Sequence, residues 1–194
     1  MILRNGGFFL VEGHTDKLFV ERVFVPEILV RRPGIYVKVV EHAGRPSKTI
    51  RGIVGTATRM GVHYVFVSDL DRFACYGLRR DQRKREYPCL DESQIVVVNR
   101  EIESWYLAGL DEATCGQLGV PFLQQTDGFT KERFTDLRPH RFRNNLDFML
   151  EILDHYNLSH ALSGNRSESL AYFCARHCDL SSPGGNPLEG RRAS

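Results

Sequence analysis

Four short, continuously apolar segments constrain the fold of this chain more than any other feature. They cover residues 8–11, 35–40, 64–67 and 95–98, and each is rich in β-branched or aromatic residues. A strand that is apolar on both faces is typical of a parallel sheet covered on both sides by helices. Helical patterns separate the four segments, so we expect right-handed βαβ units and an open, mainly parallel four-stranded α/β sheet flanked by helices.

The helical patterns set the expected domain organisation. The first covers residues 16–30, with Thr15 as its N-cap and Pro26 as a kink. The other predicted helices cover residues 48–60, 77–86, 144–156 and 167–177. A further short helix, with Asn99 as its N-cap, follows the fourth strand. Strand signals stop near residue 110. We therefore expect an α/β domain over residues 1–112, a helical extension over 113–180 packed on it, and a disordered tail rich in Pro, Gly and Ser over 181–194.

Composition excludes several classes of protein. The chain has 194 residues, 42% hydrophobic and 26% charged, which is enough to bury a substantial core. No apolar run approaches the ~20 residues that span a bilayer, and no signal peptide is apparent, so we expect a cytoplasmic protein without membrane contact. Five irregularly spaced cysteines indicate reduced thiols. The segment "CARHC" lacks a second ligand pair for zinc, so we expect buried helical cysteines there.

Carboxylates follow three of the four predicted strands. Glu12 follows the first strand, Asp69 and Asp71 follow the third, and Glu101 and Glu103 follow the fourth. The carboxyl ends of parallel strands lie at one edge of the sheet, where α/β proteins bind their ligands. Several unpaired acids would repel one another there. The pattern therefore predicts a divalent cation, and oxygen ligands favour Mg²⁺ or Mn²⁺.

Each acid also has an ordinary structural explanation. Asp16 and Glu101 lie in the first turns of predicted helices, where the helix dipole stabilises a negatively charged side chain. An Asp-x-Asp sequence at the end of a strand is a common turn signal. The combination of three strand ends, rather than any one acid, favours a metal site.

Three segments, taken in order, resemble a TOPRIM domain. They are "LVEGHTDKLFVERV", "VFVSDLDR" and "REIESWYLAG", and the resemblance covers about residues 8–110. TOPRIM domains occur in topoisomerases, bacterial primases, 5S ribosomal RNA maturases and OLD-family nucleases. The likeness is greater to OLD-type and small stand-alone TOPRIM-like proteins of bacteria and phage, which share the Thr15–Asp16 pair, a loop like that of Gly44 and Lys48, and a helix like Glu103–Trp105.

The resemblance implies a fold, a metal site and a reaction class. The family's glutamate and its Asp-x-Asp motif match Glu12, Asp69 and Asp71. This sequence departs from the family at Arg72 and Phe73, where primases and topoisomerases often carry a third acid. It also lacks a GxxxxGK[ST] loop, so any ATPase would be a separate partner protein.

We therefore predict an Mg²⁺- or Mn²⁺-dependent phosphodiesterase acting on nucleic acid, in the manner of a TOPRIM nuclease. Asp69 and Asp71 would hold one ion, and Glu12 and Asp16 a second. In a one-metal version Glu12 acts as general base. The predicted metal ligands are Glu12, Asp16, Asp69, Asp71, Glu103 and Glu101, and the predicted catalytic residues are Glu12, Asp69, Asp71 and Lys48.

Basic residues supply the predicted contacts with DNA or RNA. The candidates are Arg45, Arg79, Arg80, Arg83, Lys84 and Arg85, which would bind the phosphate backbone. A solvated basic face is the alternative reading. Two other functions remain open. One is a non-catalytic module that binds nucleic acid or a partner protein, in a phage-defence or mobile-element system. The other is nucleotidyl or phosphoryl transfer to a smaller substrate.

Overall fold

The computed structural model describes residues 6–178 and residue 180. At its centre lies a four-stranded sheet, parallel throughout, in the order β2-β1-β3-β4. The strands are β1 (Gly7–Val11), β2 (Val37–Glu41), β3 (His63–Asp69) and β4 (Ile95–Val98). The predicted open, parallel α/β fold is confirmed, with all four strands near their expected positions.

The register of the strands places the predicted acids at one edge. Leu10 of β1 pairs with Phe66 of β3, and Asp69 of β3 pairs with Val98 of β4. Because all pairings are parallel, the carboxyl ends of β1, β3 and β4 meet at the same edge. The Ser68 hydroxyl donates a hydrogen bond to Glu12 Oε1 at 2.8 Å across this edge.

Helices cover both faces of the sheet and form the C-terminal part of the chain. They are α1 (His14–Phe19), α2 (Val25–Arg31), α3 (Ser47–Met60), α4 (Tyr76–Glu86), α5 (Glu103–Ala108), α6 (Glu112–Leu118), α7 (Lys131–Leu137), α8 (Asn145–Asp154), α9 (Leu158–Ser163) and α10 (Glu168–Phe173). Two π-helical segments, Val20–Phe24 and Cys174–Cys178, and a 3₁₀ turn, Glu92–Gln94, complete the described elements. Within residues 6–178, no helix combines the length and apolarity that a membrane span requires.

The first predicted helix is broken in a way that its proline explains. A π-helical turn separates α1 from α2, and Pro26 lies in the first turn of α2, where its missing N–H costs least. The prediction that Thr15 caps this helix is wrong, because α1 begins at His14 after Gly13. The cap assigned to Asn99 is also wrong, since α5 begins at Glu103.

Three helices of the C-terminal part were not predicted, although their caps are legible in the sequence. The side chains of Asp111, Thr130 and Asn157 accept hydrogen bonds from backbone N–H groups three residues later, and so start α6, α7 and α9. These helices have only six or seven residues each, which is too short for a clear apolar period. The predicted disordered tail over 181–194 lies outside the described residues.

One large hydrophobic cluster joins the sheet to the C-terminal helices. It contains Phe9 and Val65 of the sheet, Trp105 of α5, and Phe148 and Phe173 of the C-terminal part. Trp105 is fully buried, and its Nε1 donates to Ser169 Oγ at 2.9 Å. A smaller cluster on the other face of the sheet packs against α3. The helices after residue 112 therefore share the core of the sheet.

A buried histidine pair predicts that the fold is sensitive to acid. His63 Nε2 lies 3.2 Å from His177 Nδ1, and both residues are almost fully buried. Burial lowers the pKa of His63 to about 4 and that of His177 to about 3. In the unfolded chain the two histidines take up a proton near pH 6.5, whereas in the folded protein they do so only near pH 4 and pH 3. The neutral histidine pair therefore contributes fully to stability above pH 6.5, and this contribution is lost as the pH falls toward 4.

We therefore expect the histidine pair to lower the free energy of unfolding by several kcal/mol between pH 7 and pH 4, at about 1.4 kcal/mol per unit of pKa shift. The buried acids Asp16 and Asp69 have raised pKa values and act in the opposite direction, so the contribution of the pair is the difference between the wild type and a variant that lacks it. Urea denaturation across this range measures it. His177→Gln should flatten the profile between pH 6.5 and 4, whereas the exposed control His155→Gln should not. Equal slopes in the two variants would contradict the assignment.

The buried, free Cys174 and Cys178 beside His177 confirm the predicted buried cysteines.

Candidate active site

Five of the six predicted metal ligands gather at the carboxyl edge of the sheet. They are Glu12, Asp16, Asp69, Asp71 and Glu103. Burial, followed by the negative charges of its four neighbours, raises the pKa of the Asp69 carboxyl well above its ordinary value. The expected convergence of acids from three strand ends is thus present.

Helix α5 is held against α1, and this contact brings two of the acids to the edge. The Tyr106 hydroxyl donates to the backbone oxygen of Thr15 at 2.7 Å, and the rings of Phe19 and Tyr106 pack with centroids 5.0 Å apart. Asp16 lies in the first turn of α1, and Glu103 is the first residue of α5. The aromatic core therefore fixes the position of both carboxylates.

Three of the acids have no arginine partner among the described residues, and we call Asp16, Asp69 and Glu103 the arginine-free acids. Asp16 is only 4% exposed and Glu103 only 5%. Within the described part of the chain, Asp16 Oδ1 and Asp69 Oδ1 are buried and receive no hydrogen bond. Burial and the charge of Glu12 raise the pKa of Asp16 to about 7, and burial also raises the pKa of Glu103.

The other two acids, Glu12 and Asp71, are bound by arginines, and we call them the arginine-bound acids. Glu12 Oε1 accepts hydrogen bonds from Ser68 Oγ at 2.8 Å, from Arg79 Nη2 at 3.1 Å and from Arg83 Nη2. Asp71 Oδ2 accepts from Arg79 Nη2 at 2.7 Å. Two guanidinium groups therefore pair with one half of the acid cluster, and no described arginine forms an ion pair with the other half.

Arg79 and Arg83 do not occupy the position expected for contacts with a nucleic-acid backbone. Arg79 is 4% exposed, and its Nε donates to the backbone oxygen of Asp69 at 2.6 Å. Arg83 Nε donates to Ser68 Oγ at 2.8 Å. The sequence contained a signal for this arrangement: the two arginines are four residues apart on α4, so they lie on one face, and α4 follows the strand that carries Asp69.

Asp71 does not continue the extended backbone of Asp69. Strand β3 ends at Asp69, and Asp71 has a φ of 51°. Arg100, just beyond β4, has a φ of 62°, and its Nη1 donates to the backbone oxygen of Asp71 at 2.9 Å. Left-handed backbone is unfavourable for non-glycine residues and is concentrated at functional sites.

The sixth predicted ligand, Glu101, lies near Glu103 and lines the same cavity as Asp71, but its carboxylate is engaged by α7. No described hydrogen bond or ion pair connects a side chain of the loop after β2 with the acid cluster. Glu101 Oε2 accepts the backbone N–H of Lys131 and so caps the start of α7. Lys48 is exposed in the first turn of α3. Arg45 is also exposed and donates to the backbone oxygen of Glu41. None of the described contacts connects Lys48 or Arg45 with the acids.

The remaining predicted basic contacts lie on or beside α4. Lys84 and Arg85 are exposed, although Lys84 Nζ also donates to the backbone oxygen of Leu90. Arg80 is half-buried and lines a small cavity of about 180 Å³ together with Tyr76 and Tyr172. The exposed part of the basic run is therefore limited to the outer face of α4.

A larger cavity, of about 700 Å³, opens beside Asp71. Its lining includes the exposed Arg72 and Arg100 and the half-buried Phe73. The ring of Phe73 lies 5.0 Å from the guanidinium carbon of Arg79. The two positions at which this sequence departs from primases and topoisomerases thus face the space next to the acid cluster.

The carboxylates are near one another but do not yet surround a common point. Across residues 6–178 and 180, no group of three or more His, Cys, Asp or Glu side chains is arranged to hold a metal ion. Comparisons with family models, with curated proteins and with solved structures found no match.

Proposed function

We propose that this protein is an Mg²⁺- or Mn²⁺-dependent phosphodiesterase that cleaves nucleic acid, in the manner of a TOPRIM nuclease. One observation carries the proposal: within the described residues, Asp16 Oδ1 and Asp69 Oδ1 are buried in an acid cluster without any donor. Each such acceptor costs about 1–3 kcal/mol when it is left unsatisfied. A divalent cation would satisfy both oxygens, because carboxylates are the ligands that Mg²⁺ and Mn²⁺ prefer.

The residues present fit such a cation by their charge as well as by their chemistry. Five carboxylates meet two guanidinium groups at this edge, so the ionised cluster keeps a negative excess. When bound, a divalent cation polarises a phosphodiester and supplies a water nucleophile at neutral pH. Asp16, Asp69 and Glu103 would hold it, while Ser68, Arg79 and Arg83 keep the Glu12 carboxylate in one orientation.

The surroundings support a phosphate-bearing substrate. Arg72 and Arg100 line the cavity beside Asp71, together with the acids Glu101 and Glu132, and these two arginines would contact the phosphate groups. The ordered motifs that resemble TOPRIM domains lie on the elements that form this edge. The left-handed backbone at Asp71 and Arg100 is a further property typical of functional sites.

A cleavage assay tests the proposal. The full chain is incubated with linear and circular DNA and with RNA, in Mg²⁺, in Mn²⁺ or in EDTA. We expect cleavage of at least one substrate with a divalent cation and none in EDTA. Cleavage that continues unchanged in EDTA would refute a metal-dependent reaction.

A non-catalytic binding module is the second candidate, and the arginine pairs favour it. Arg79 and Arg83 form ion pairs with Glu12 and Asp71, two of the acids predicted to be catalytic. A module of this kind would bind nucleic acid or a partner protein without turnover. Stable binding of DNA or RNA in Mn²⁺, with no product after long incubation, would favour it over the nuclease.

Nucleic-acid binding should depend on the exposed end of the basic run. We expect the double variant Lys84→Ala/Arg85→Ala to reduce the slope of log K against log salt concentration by about 2, since each phosphate contact contributes about 0.9. Fluorescence anisotropy with labelled DNA, titrated over a range of salt, measures this slope. Arg59→Ala is the matched control, because Arg59 is exposed near the opposite edge of the sheet. Equal slopes in the double variant and the wild type would contradict this interface.

A further inference from the structure

We propose that the site binds a single divalent cation, held by Asp16, Asp69 and Glu103, and that Arg79 and Arg83 take the place of a second cation. This inference rests on the proposed function, because it concerns the same edge of the sheet. It differs from the expectation of two ions, in which Asp71 was a ligand of the first ion and Glu12 of the second. The division between arginine-free and arginine-bound acids is what decides between the two arrangements.

Each arginine-bound acid has one oxygen that is already engaged. Glu12 Oε1 accepts three hydrogen bonds, from Ser68, Arg79 and Arg83, and Asp71 Oδ2 accepts one from Arg79. A cation bound at either of these atoms would have to displace an arginine. A cation bound through the other oxygen of Glu12 or Asp71 would lie beside a guanidinium group, and repulsion between the two positive charges disfavours that position.

Arg79 is too firmly held to be displaced readily. Beyond its two carboxylate partners, its Nε donates to the Asp69 backbone oxygen and to Ser68, and its Nη1 donates to Gln82 at 2.9 Å. A guanidinium group keeps its charge at any physiological pH. Removing it from these partners would leave a buried charge uncompensated on each side. Arg79 therefore serves as a permanent positive charge of the site.

The arginine-free acids have the opposite properties. Asp16 is more than nine-tenths buried, and its Oδ1 receives no hydrogen bond from any described residue. Asp69 Oδ1 is likewise buried and without a described donor. The Tyr106–Thr15 hydrogen bond fixes Glu103 beside them. A single small cation, drawn in between these side chains, could satisfy the two orphaned oxygens together.

Charge balance is compatible with one ion. Glu12 and Asp71 pair with two guanidinium groups, of which Arg83 also pairs with Glu86 at 2.8 Å. Lys131 lies near Glu103, whereas the charged groups that act most strongly on Asp16 and Asp69 are all acids. One divalent cation would balance the charges of Asp16 and Asp69, while a second would lie next to the two guanidinium groups.

Isothermal titration calorimetry tests the inference. Mn²⁺ is titrated into the full chain after treatment with a chelator. We expect a stoichiometry of one. Asp16→Asn, Asp69→Asn and Glu103→Gln should each weaken binding at least about tenfold. Glu12→Gln and Asp71→Asn should keep the stoichiometry of one. Circular dichroism and thermal unfolding confirm that each variant is folded.

A variant that lacks the positive charge of Arg83 provides a second test. If Arg83 replaces a cation, Arg83→Met should create room for a second, weaker Mn²⁺ ion and raise the stoichiometry toward two. Spin coupling between two Mn²⁺ ions in electron paramagnetic resonance would report this directly. Arg85→Met, an exposed arginine on the same helix, is the control and should keep a stoichiometry of one.

The outcomes separate this inference from the function on which it rests. Two ions in the wild type, or loss of binding in Glu12→Gln, would overturn the single-cation assignment, although a metal-dependent nuclease would stand. The absence of any Mn²⁺ binding would overturn both. Binding of one ion, lost in Asp16→Asn but kept in Glu12→Gln, supports the inference whether or not cleavage has been observed.

Discussion

We expect Asp69→Asn to reduce the rate of metal-dependent cleavage by about 1,000-fold or more. Cation chemistry at such a site contributes several kcal/mol, and each 1.36 kcal/mol is a factor of ten in rate. The substitution removes the charge of a carboxylate that lies among Glu12, Asp16, Asp71 and Glu103. An amide of nearly the same shape keeps the packing but is a much weaker ligand.

The measurement is the single-turnover rate at saturating Mn²⁺, together with thermal unfolding. Stability should not fall, because the variant relieves repulsion among buried acids. Asp81→Asn is the matched control, since Asp81 is an exposed aspartate on α4. An Asp69→Asn protein that retains a tenth or more of the wild-type rate would contradict the assignment. Activity that survives Asp69→Ala combined with Asp71→Ala would exclude this edge as the reaction centre.

We expect Arg79→Met to lower the free energy of unfolding by about 3–5 kcal/mol, the usual cost of removing one partner of a buried ion pair. The side chain of Arg79 is 5% exposed and bridges Glu12 and Asp71. Methionine fills part of the volume but leaves both carboxylates, the Ser68 hydroxyl and the Asp69 backbone oxygen without this donor. The repulsion within the acid cluster then increases.

Urea denaturation at pH 7 in EDTA measures the loss. Arg85→Met, on the exposed face of the same helix, should change stability by less than about 0.5 kcal/mol. In a double-mutant cycle, Glu12→Gln should recover part of the loss, because it removes one of the charges left unpaired. A loss below about 1 kcal/mol in Arg79→Met would mean that the guanidinium group contributes little to the fold, contrary to its burial.

The strands and the position of the acid cluster could be predicted because both depend on local sequence. A continuous apolar run can be buried only where both faces of a strand are covered, and helical segments between such runs require parallel pairing. Parallel pairing brings the carboxyl ends of strands to one edge. Glu12, Asp69 and Glu103 therefore converge as their positions after three different strands indicated.

The spacing of Arg79 and Arg83 indicates that they share one face of α4, but whether that face meets the acids depends on how α4 is rotated against the sheet. A run of basic residues has the same local pattern whether its side chains face solvent or a group of acids. Arg79 and Arg83 point inward because the carboxylates at the edge lower the cost of burying them. The neighbouring Arg85 remains exposed.

The positions of Glu101 and Asp71 also could not be predicted from the sequence. Glu101 lies two residues before Glu103, yet it caps α7, a helix that begins thirty residues further along the chain. Asp71 takes a left-handed conformation because the chain beyond β3 continues to bond with the chain beyond β4, through Leu70 N to Val98 O and Asp71 N to Arg100 O. Both outcomes depend on partners that are distant in sequence.

The sequence by itself determined the parallel sheet and the edge at which the acids collect, since apolar burial and strand direction follow from local composition. Only the tertiary structure decided which of those acids have a counter-charge. Glu12 and Asp71 are matched by arginines, while Asp16 and Asp69 keep buried oxygens without a described donor. The physical reason is that ion pairing depends on side chains meeting in space, and that meeting is set by the packing of α1, α4 and α5 around the sheet.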